Sequence, residues 1–392
     1  MASRHVRTSE SVTEGHPDKI CDQVSDAILD AILAEDPTAR VACETMASTG
    51  LIFTTGEITT EATFDVDEIV RATLEEIGYT DAAYGLDADT CSVVSALHEQ
   101  SPDISQGVDG EDPGAGDQGL MIGYATDETP TLMPAPIHYA HKLARRLSEV
   151  RREGPVDYLR PDGKSQVTLT YRDGEITHAP AVVVAAQHGE DVDLDKVRED
   201  VREHVVDPVL PADWLDDQTD YYINHTGRFV RGGPYADAGL TGRKVIVDTY
   251  GGRVPHGGGA FSGKDPTKVD RSASYYARYV AKNLVRAGVA GECQVQIAYS
   301  IASRQPVGLD VDTRGTGVVP DDRIADLVEK TFDFSPGGMI DELGLRETTY
   351  KPAAAYGHFG REDIEVPWEA TDRVDELHQA VGDKADLPET AR

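Results

Sequence analysis

Apolar residues recur along this chain with two periods, and the switches between them outline its elements. Ile20, Val24, Ile28 and Ile32 fall four apart within Asp18 to Leu33, which predicts an amphipathic helix entered through Pro17. Val41 to Thr45 and Leu51 to Thr55 read as strands joined by a turn at Ser48-Thr49-Gly50. Val66 to Ile77 predicts a second helix stopped by Gly78, and Cys91 to Leu97 another strand. Further on, Ile137 to Val150 predicts a helix, and Val167 to Tyr171 with Glu175 to Thr177 a hairpin around Arg172-Asp173-Gly174. Val182 to Ala186 reads as a strand, Leu194 to Val206 as a helix and Lys244 to Thr249 as a strand. Arg271 to Val285 then predicts a helix, Gln294 to Ser300 an alternating strand and Ile324 to Phe332 a helix.

Strands and helices thus mix in three successive blocks, with no clear repeat in residue identity between them. The fold class this predicts is α+β, built from three similar two-layer units. The stretch from Gln100 to Gly119 is rich in Gly, Asp, Ser and Pro and keeps neither period, so it reads as a linker or active-site lid. Expected boundaries are an N-terminal domain over 1–101, a flexible active-site loop over 102–119, a central domain over 120–231 and a C-terminal domain with a polar tail over 232–392.

Composition narrows the function. The 392 residues are 39% hydrophobic and 27% charged, as in soluble globular proteins. The longest apolar run, Ala179 to Ala186, is too short to span a bilayer, and no signal-like stretch opens the chain, so no membrane role and a cytoplasmic location are expected. Cys21, Cys43, Cys91 and Cys293 lack paired metal-ligand spacing and read as free thiols, mostly in the core. Lys and Arg number 37 against 70 Asp and Glu, a net charge of −33. Such a chain repels nucleic-acid backbones, and an ATP site in it must gather lysines, arginines and metal ions locally.

The densest chemical signal is Gly257-Gly258-Gly259-Ala260-Phe261-Ser262-Gly263-Lys264-Asp265, followed by Lys268 and Asp270. Glycines let backbone N–H groups approach a polyanion, and the lysines can meet its charge. From Gly258 to Lys264 the run nearly matches a nucleotide-binding P-loop, but Asp265 stands where a magnesium-holding Ser or Thr is required. Locally, a phosphate-binding loop and a tightly turned surface loop both remain open. Four polar clusters accompany it. Glu14-Gly15-His16-Pro17-Asp18-Lys19 precedes a helix, where an anion is favoured, although simple capping would also explain it. Gly114-Ala115-Gly116-Asp117-Gln118-Gly119 sets an aspartate among glycines. Arg160-Pro161-Asp162-Gly163-Lys164-Ser165 reads blandly as a β-turn, and Asp237 to Lys244 as a basic pair entering a strand.

These stretches, with Ser9 to Lys19 and Ala355-Tyr356-Gly357-His358-Phe359-Gly360, resemble the S-adenosylmethionine synthetase family over roughly residues 4–370. The resemblance implies that the methionine sulfur attacks C5′ of ATP and that the expelled tripolyphosphate is then hydrolysed to phosphate and pyrophosphate. It implies two Mg²⁺ and one K⁺ per site. It also implies three partly interwoven units whose sheets pack at a subunit interface, in a homo-oligomer, a dimer of dimers, with active sites between subunits.

Carried over residue by residue, the family pattern sets His16, Lys164, Arg243, Lys244 and Lys264 around the leaving polyphosphate as catalytic groups. ATP contacts extend to Asp162, Gly163, Phe229 (stacked on adenine), Val230, Asp237 and Ala260. Methionine falls to Glu57, Gln100, Asp117, Asp237 and Lys268; Mg²⁺ to Asp18 and Asp270; K⁺ to Glu44. The bland alternatives are a core position for Phe229 and a helix cap for Asp270. The chain departs from the family where Asn224-His225-Thr226-Gly227-Arg228-Phe229 replaces a common Asn-Pro-Thr-Gly-Arg-Phe, and at Arg231 and Tyr235, which stand where smaller or apolar residues are frequent. A kinase-like phosphotransferase that releases ADP and an inactive nucleotide sensor of the same fold are the competing functional readings.

Overall fold

A computed structural model describes residues 4–99 and 114–382. Helix α1 spans Pro17–Glu35, and its four-residue stripe Ile20, Val24, Ile28 and Ile32 is wholly buried. At roughly 1.5–3 kcal/mol for each such side chain, this stripe fixes the helix on its sheet. That sheet joins β2 (Arg40–Ser48), β3 (Leu51–Thr59) and β6 (Ser92–His98) in the order β11-β2-β3-β6, its last member β11 being Gly239–Leu240. Helix α2 (Val66–Ile77) is ended by Gly78 at φ 105°, as the sequence predicts, and the structure adds an N-cap at Asp65. A two-residue ribbon, β4 (Thr80–Asp81) with β5 (Leu86–Asp87), follows it.

The second sheet runs β1-β8-β9-β10, from Arg4–Val12, Leu159–Arg172, Glu175–His188 and Asp220–Ile223. Helix α3 (Ala135–Glu153) covers it. The third runs β13-β12-β7, from Gly308–Asp312, Glu292–Tyr299 and Gly119–Thr126, against helix α6 (Val269–Arg286). Helices α7 (Asp321–Thr331), α8 (Pro336–Glu342) and α9 (Val374–Val381) complete that part; α4 (Leu194–Val201) and α5 (Val245–Asp248) lie between. This is an α+β fold. Strand β1 thus serves the sheet of residues 159–223, and β11 that of residues 40–98.

Three expectations fail. Lys244 to Thr249 is one helical turn, not a strand: Asp248 N–H donates to Lys244 O at 2.8 Å and Thr249 Oγ1 to Val245 O at 2.8 Å. Its β-branched run was a weak prior that tertiary anchoring overrides. Arg160 to Ser165 is no β-turn but part of β8, irregular between Leu159 and Gly163. The helix over Leu194 to Val206 keeps α geometry only to Val201, then widens to a π turn over Arg202–Val206. All four cysteines are buried free thiols. Among the described residues no helix is long and apolar enough to cross a membrane.

Candidate functional site

The site begins where β1 passes into α1. His16 is the helix N-cap, 3% exposed, and its Nδ1 accepts the Asp18 N–H at 3.1 Å. Burial first, then the nearby charges of Lys244 and Lys164, push its pKa down to about 3. The ring is therefore neutral at physiological pH. Because Nδ1 accepts, the ring hydrogen sits on Nε2, which is left as a donor.

Asp18 follows, 2% exposed. Burial works against its charge, but Lys244 Nζ at 2.6 Å and the Leu240 N–H at 3.0 Å outweigh it and hold the carboxyl below its usual pKa. Arg243 Nε lies 3.7 Å from the same group. Arg243 and Lys244 reach Asp18 because their turn is tied down from below. Lys19, wholly buried, pairs with Asp22 at 2.9 Å and with Asp248 at the end of α5, while Asp22 Oδ1 accepts the Gly242 N–H at 2.8 Å.

The glycine-rich run lies along β2. Cys43 N–H donates to Gly263 O at 2.9 Å and Asp265 N–H to Val41 O at 3.1 Å. Gly263, at φ +79°, has the Cys43 carbonyl so close that a Cβ would sit 1.9 Å from it. Arg271 clamps the loop: wholly buried, it holds Asp26 with two hydrogen bonds of 2.8 and 2.7 Å and donates to Lys264 O at 3.0 Å. Lys264 Nζ then stands 2.7 Å from Asp270 Oδ2, and Lys268 Nζ 2.8 Å from the buried Asp265. Asp270 is not the cap of α6, since Lys268 occupies that position. The loop also meets the basic turn, because a Cβ on Gly242 would come within 2.6 Å of Ala260 Cβ.

Asp162, 5% exposed on β8, accepts the Gly233 N–H at 2.8 Å, while its Oδ1 is buried without a partner. Burial pushes its pKa up to about 6 against the pull of that hydrogen bond and of Lys164. Gly163 is buried beside it and Lys164 is exposed. Half-buried Phe229 accepts the His188 backbone N–H at 2.9 Å and donates its own N–H to His188 Nε2 at 3.1 Å, and Val230 O accepts from Gln187 Nε2 at 3.0 Å. Asp237 is exposed. His225 packs edge-on to Tyr222 at 5.0 Å, and Arg231 lies over Tyr235 at 5.3 Å.

The structure therefore gathers His16, Asp18, Arg243 and Lys244 on one side and Ala260, Lys264 and Asp270 on the other. Glu44, Glu57 and Asp117 are exposed; Glu57 lies 3.5 Å from His98, and Asp117 accepts its neighbour's N–H at 2.7 Å. Gln100 lies outside the described residues. Among those residues no group of three or more His, Cys, Asp or Glu forms a ready-made metal cage. Lone carboxylates such as Asp18 and Asp270 suit Mg²⁺, which keeps waters and takes oxygens from substrate phosphates. Glu44 offers a single exposed carboxylate, which alone makes no cage for K⁺. The sequence reading gave no role to Lys19 and missed Asp22, Asp26 and Arg271. Lys19, Asp22 and Asp26 follow one another at three- and four-residue spacing on a helix, a signal that could have revealed them.

Comparison with known proteins identifies the family. Residues 4–102, 112–229 and 231–370 match the N-terminal, central and C-terminal domains of S-adenosylmethionine synthetase. The S-adenosylmethionine synthase of Clostridium tetani (strain Massachusetts / E88) is 57% identical over 390 residues, covering 96% of this chain and 100% of the relative. That of Desulforudis audaxviator (strain MP104C) is 57% identical over 390 residues, covering 96% and 99%. That of Clostridium botulinum (strain Alaska E43 / Type E3) is 55% identical over 386 residues, covering 95% and 99%. With all three domains matched and more than half the residues shared along nearly its whole length, the chain belongs to the S-adenosylmethionine synthetase family.

Proposed function

We propose that the chain joins L-methionine to ATP by direct attack of the thioether sulfur on ribose C5′. Formation of S-adenosylmethionine itself follows from the family membership. In the proposed step the S–C5′ bond forms as the C5′–O bond breaks, and its electron pair leaves with the tripolyphosphate. A thioether has no proton to lose, so no general base is needed. What the step requires is alignment and positive charge at the departing oxygen.

The observation that carries this reading is the pairing of a neutral, buried His16 with the Asp18–Lys244 cluster at one helix start. The Nε2–H of His16 is a preorganised donor for the bridging oxygen. Lys164, Arg243, Lys244 and Lys264 face the phosphates, with Asp162, Gly163, Phe229, Val230, Asp237 and Ala260 holding the rest of the nucleotide. Mg²⁺ ions held by Asp18 and Asp270, two per site, would neutralise charge on the leaving group; a K⁺ is assigned to Glu44. Glu57, Asp117, Asp237, Lys268 and Gln100 are assigned to methionine.

The exposure of Glu44, Glu57 and Asp117 supports completion of the site by a second copy of the chain, in a dimer or dimer of dimers with sheets facing across the interface. Hydrolysis of the tripolyphosphate in the same site is part of the proposal. Incubation with ATP, methionine, Mg²⁺ and K⁺, followed by chromatography, tests it. S-adenosylmethionine with phosphate and pyrophosphate is expected; ADP would overturn it, and so would nucleotide binding without turnover.

A further inference from the structure

The glycine-rich run is held firmly at its far end and lightly at its near one. Phe261, 3% exposed, packs edge-on to Tyr275 at 5.3 Å and to His358 at 4.9 Å, and beyond it Gly263 and Lys264 are tied to β2 and to Arg271. From Val254 to Ala260 the chain makes no backbone–backbone hydrogen bond among the described residues. Three successive glycines carry more conformational entropy than any other tripeptide, so something must select one arrangement.

Contact selects two of the three. A Cβ on Gly257 would lie 1.5 Å from the Leu120 carbonyl oxygen, and one on Gly259 would lie 2.4 Å from the Asp270 carboxyl carbon. Only bare backbone passes these points. A Cβ on Gly258 would find no atom within 4 Å, yet its φ is +101°. A hydrogen bond sets that residue instead. His256 Nδ1 accepts the Gly258 N–H at 2.8 Å, and among the described residues this is the one hydrogen bond made by the backbone of residues 254–260. Because Nδ1 accepts, the ring hydrogen sits on Nε2. The half-buried ring shares a crevice with Leu120, Gly257, Gly259 and Asp270, so it grips Gly258 from the wall on which the other two glycines rest.

We propose that His256 is a positioning residue for the polyphosphate, its Nδ1 fixing Gly257 to Ala260 so that their backbone meets the anion in one prepared arrangement. The N–H groups of Gly257, Gly259 and Ala260 take no acceptor among the described residues, which leaves them for an anion. The inference rests on the reading above that this run faces the polyphosphate. His256 acts through the loop and touches no reacting atom.

Two amide substitutions test it. The Asn side chain accepts the N–H two residues on and so replaces Nδ1, whereas Gln carries its amide one methylene further, toward the position of Nε2. Titration calorimetry of the full-length protein with tripolyphosphate and Mg²⁺ should find His256→Asn close to wild type. His256→Gln and His256→Ala should bind about fivefold more weakly, the worth of one hydrogen bond, with the methionine KM and the melting temperature nearly unchanged. Affinity kept by Gln and lost by Asn would make Nε2 a direct ligand and overturn the proposal. Equal affinity in all three variants, or equal loss in all three, would overturn it too. Lys264→Ala separates the two levels of the argument: weak binding there beside wild-type binding in His256→Gln defeats the positioning role alone, whereas undiminished binding in Lys264→Ala defeats the polyphosphate reading and the inference with it.

Discussion

Lys244 Nζ and Asp18 Oδ2 meet at 2.6 Å across 226 positions of sequence, and this ion pair joins the basic turn to the start of α1. Lys244→Met would leave Asp18 buried with only Arg243 at 3.7 Å as a cation nearby. Stability should fall by about 3 kcal/mol, the magnitude of an orphaned buried charge. Adding Asp18→Asn should restore most of the melting temperature without restoring turnover, because both side chains are assigned to the polyphosphate end of the proposed site. Recovery of activity in the double variant would count against that assignment.

His16→Ala should lower turnover by about 10²-fold, since a donor aimed at developing charge contributes roughly 3 kcal/mol. ATP affinity should change far less. Hydrolysis of added tripolyphosphate should also suffer less, as that step breaks no C5′–O bond. Steady-state kinetics of both activities check this. Equal losses in the two would make His16 a general phosphate ligand or a purely structural cap.

Asp270→Asn should raise the Mg²⁺ concentration needed for half-maximal activity, with partial rescue by excess metal. Since Asp270 does not cap α6, a change in helix capping cannot explain such an effect. Lys268→Met acts elsewhere: it removes the cation 2.8 Å from Asp265, so a loss of stability of about 1.5–3 kcal/mol should accompany any higher methionine requirement. Metal titration and thermal denaturation of the two variants separate these outcomes.

Asp162 makes folding depend on pH with a defined sign. Its pKa is about 6 in the folded state against 3.8 for the free side chain, so the folded protein holds the extra proton between those values. Its contribution is largest below about pH 4 and is lost as pH rises toward 6, by about 3 kcal/mol in all. Relative to Asp162→Asn, wild type should therefore become less stable as pH climbs from 4 to 7. Urea denaturation at several pH values measures it, and a constant difference between the two proteins would refute the assignment.

Regular elements were legible where one face is buried. The stripe on α1 and the Gly78 stop of α2 announce themselves because burial and capping each demand particular residue types at fixed spacing. Strand β1 did not, because six of its nine residues are charged or hydroxylic and its pairing partners lie about 160 positions away. Val245 to Val247 misled because β-branched residues suggest a strand, whereas Lys19 and Gly242 impose a helical turn on them. At the site, motif resemblance singled out the groups proposed to face substrate. It gave no role to Lys19, Asp22 or Arg271, whose work is done beneath the surface and depends on which distant segments meet there.

The strand order of the sheets also constrains how a ribosome must deliver this protein. The sheet of residues 40–98 lacks its edge until Gly239 and Leu240 have been made, and β1, synthesised first, has no partner until β8 emerges about 150 residues later. Strand β7 likewise waits for β12. Unit-by-unit completion during synthesis is therefore closed to it. Nascent edges stay open for most of translation, and the strongly acidic surface, by mutual repulsion, keeps neighbouring unfinished chains from pairing through them.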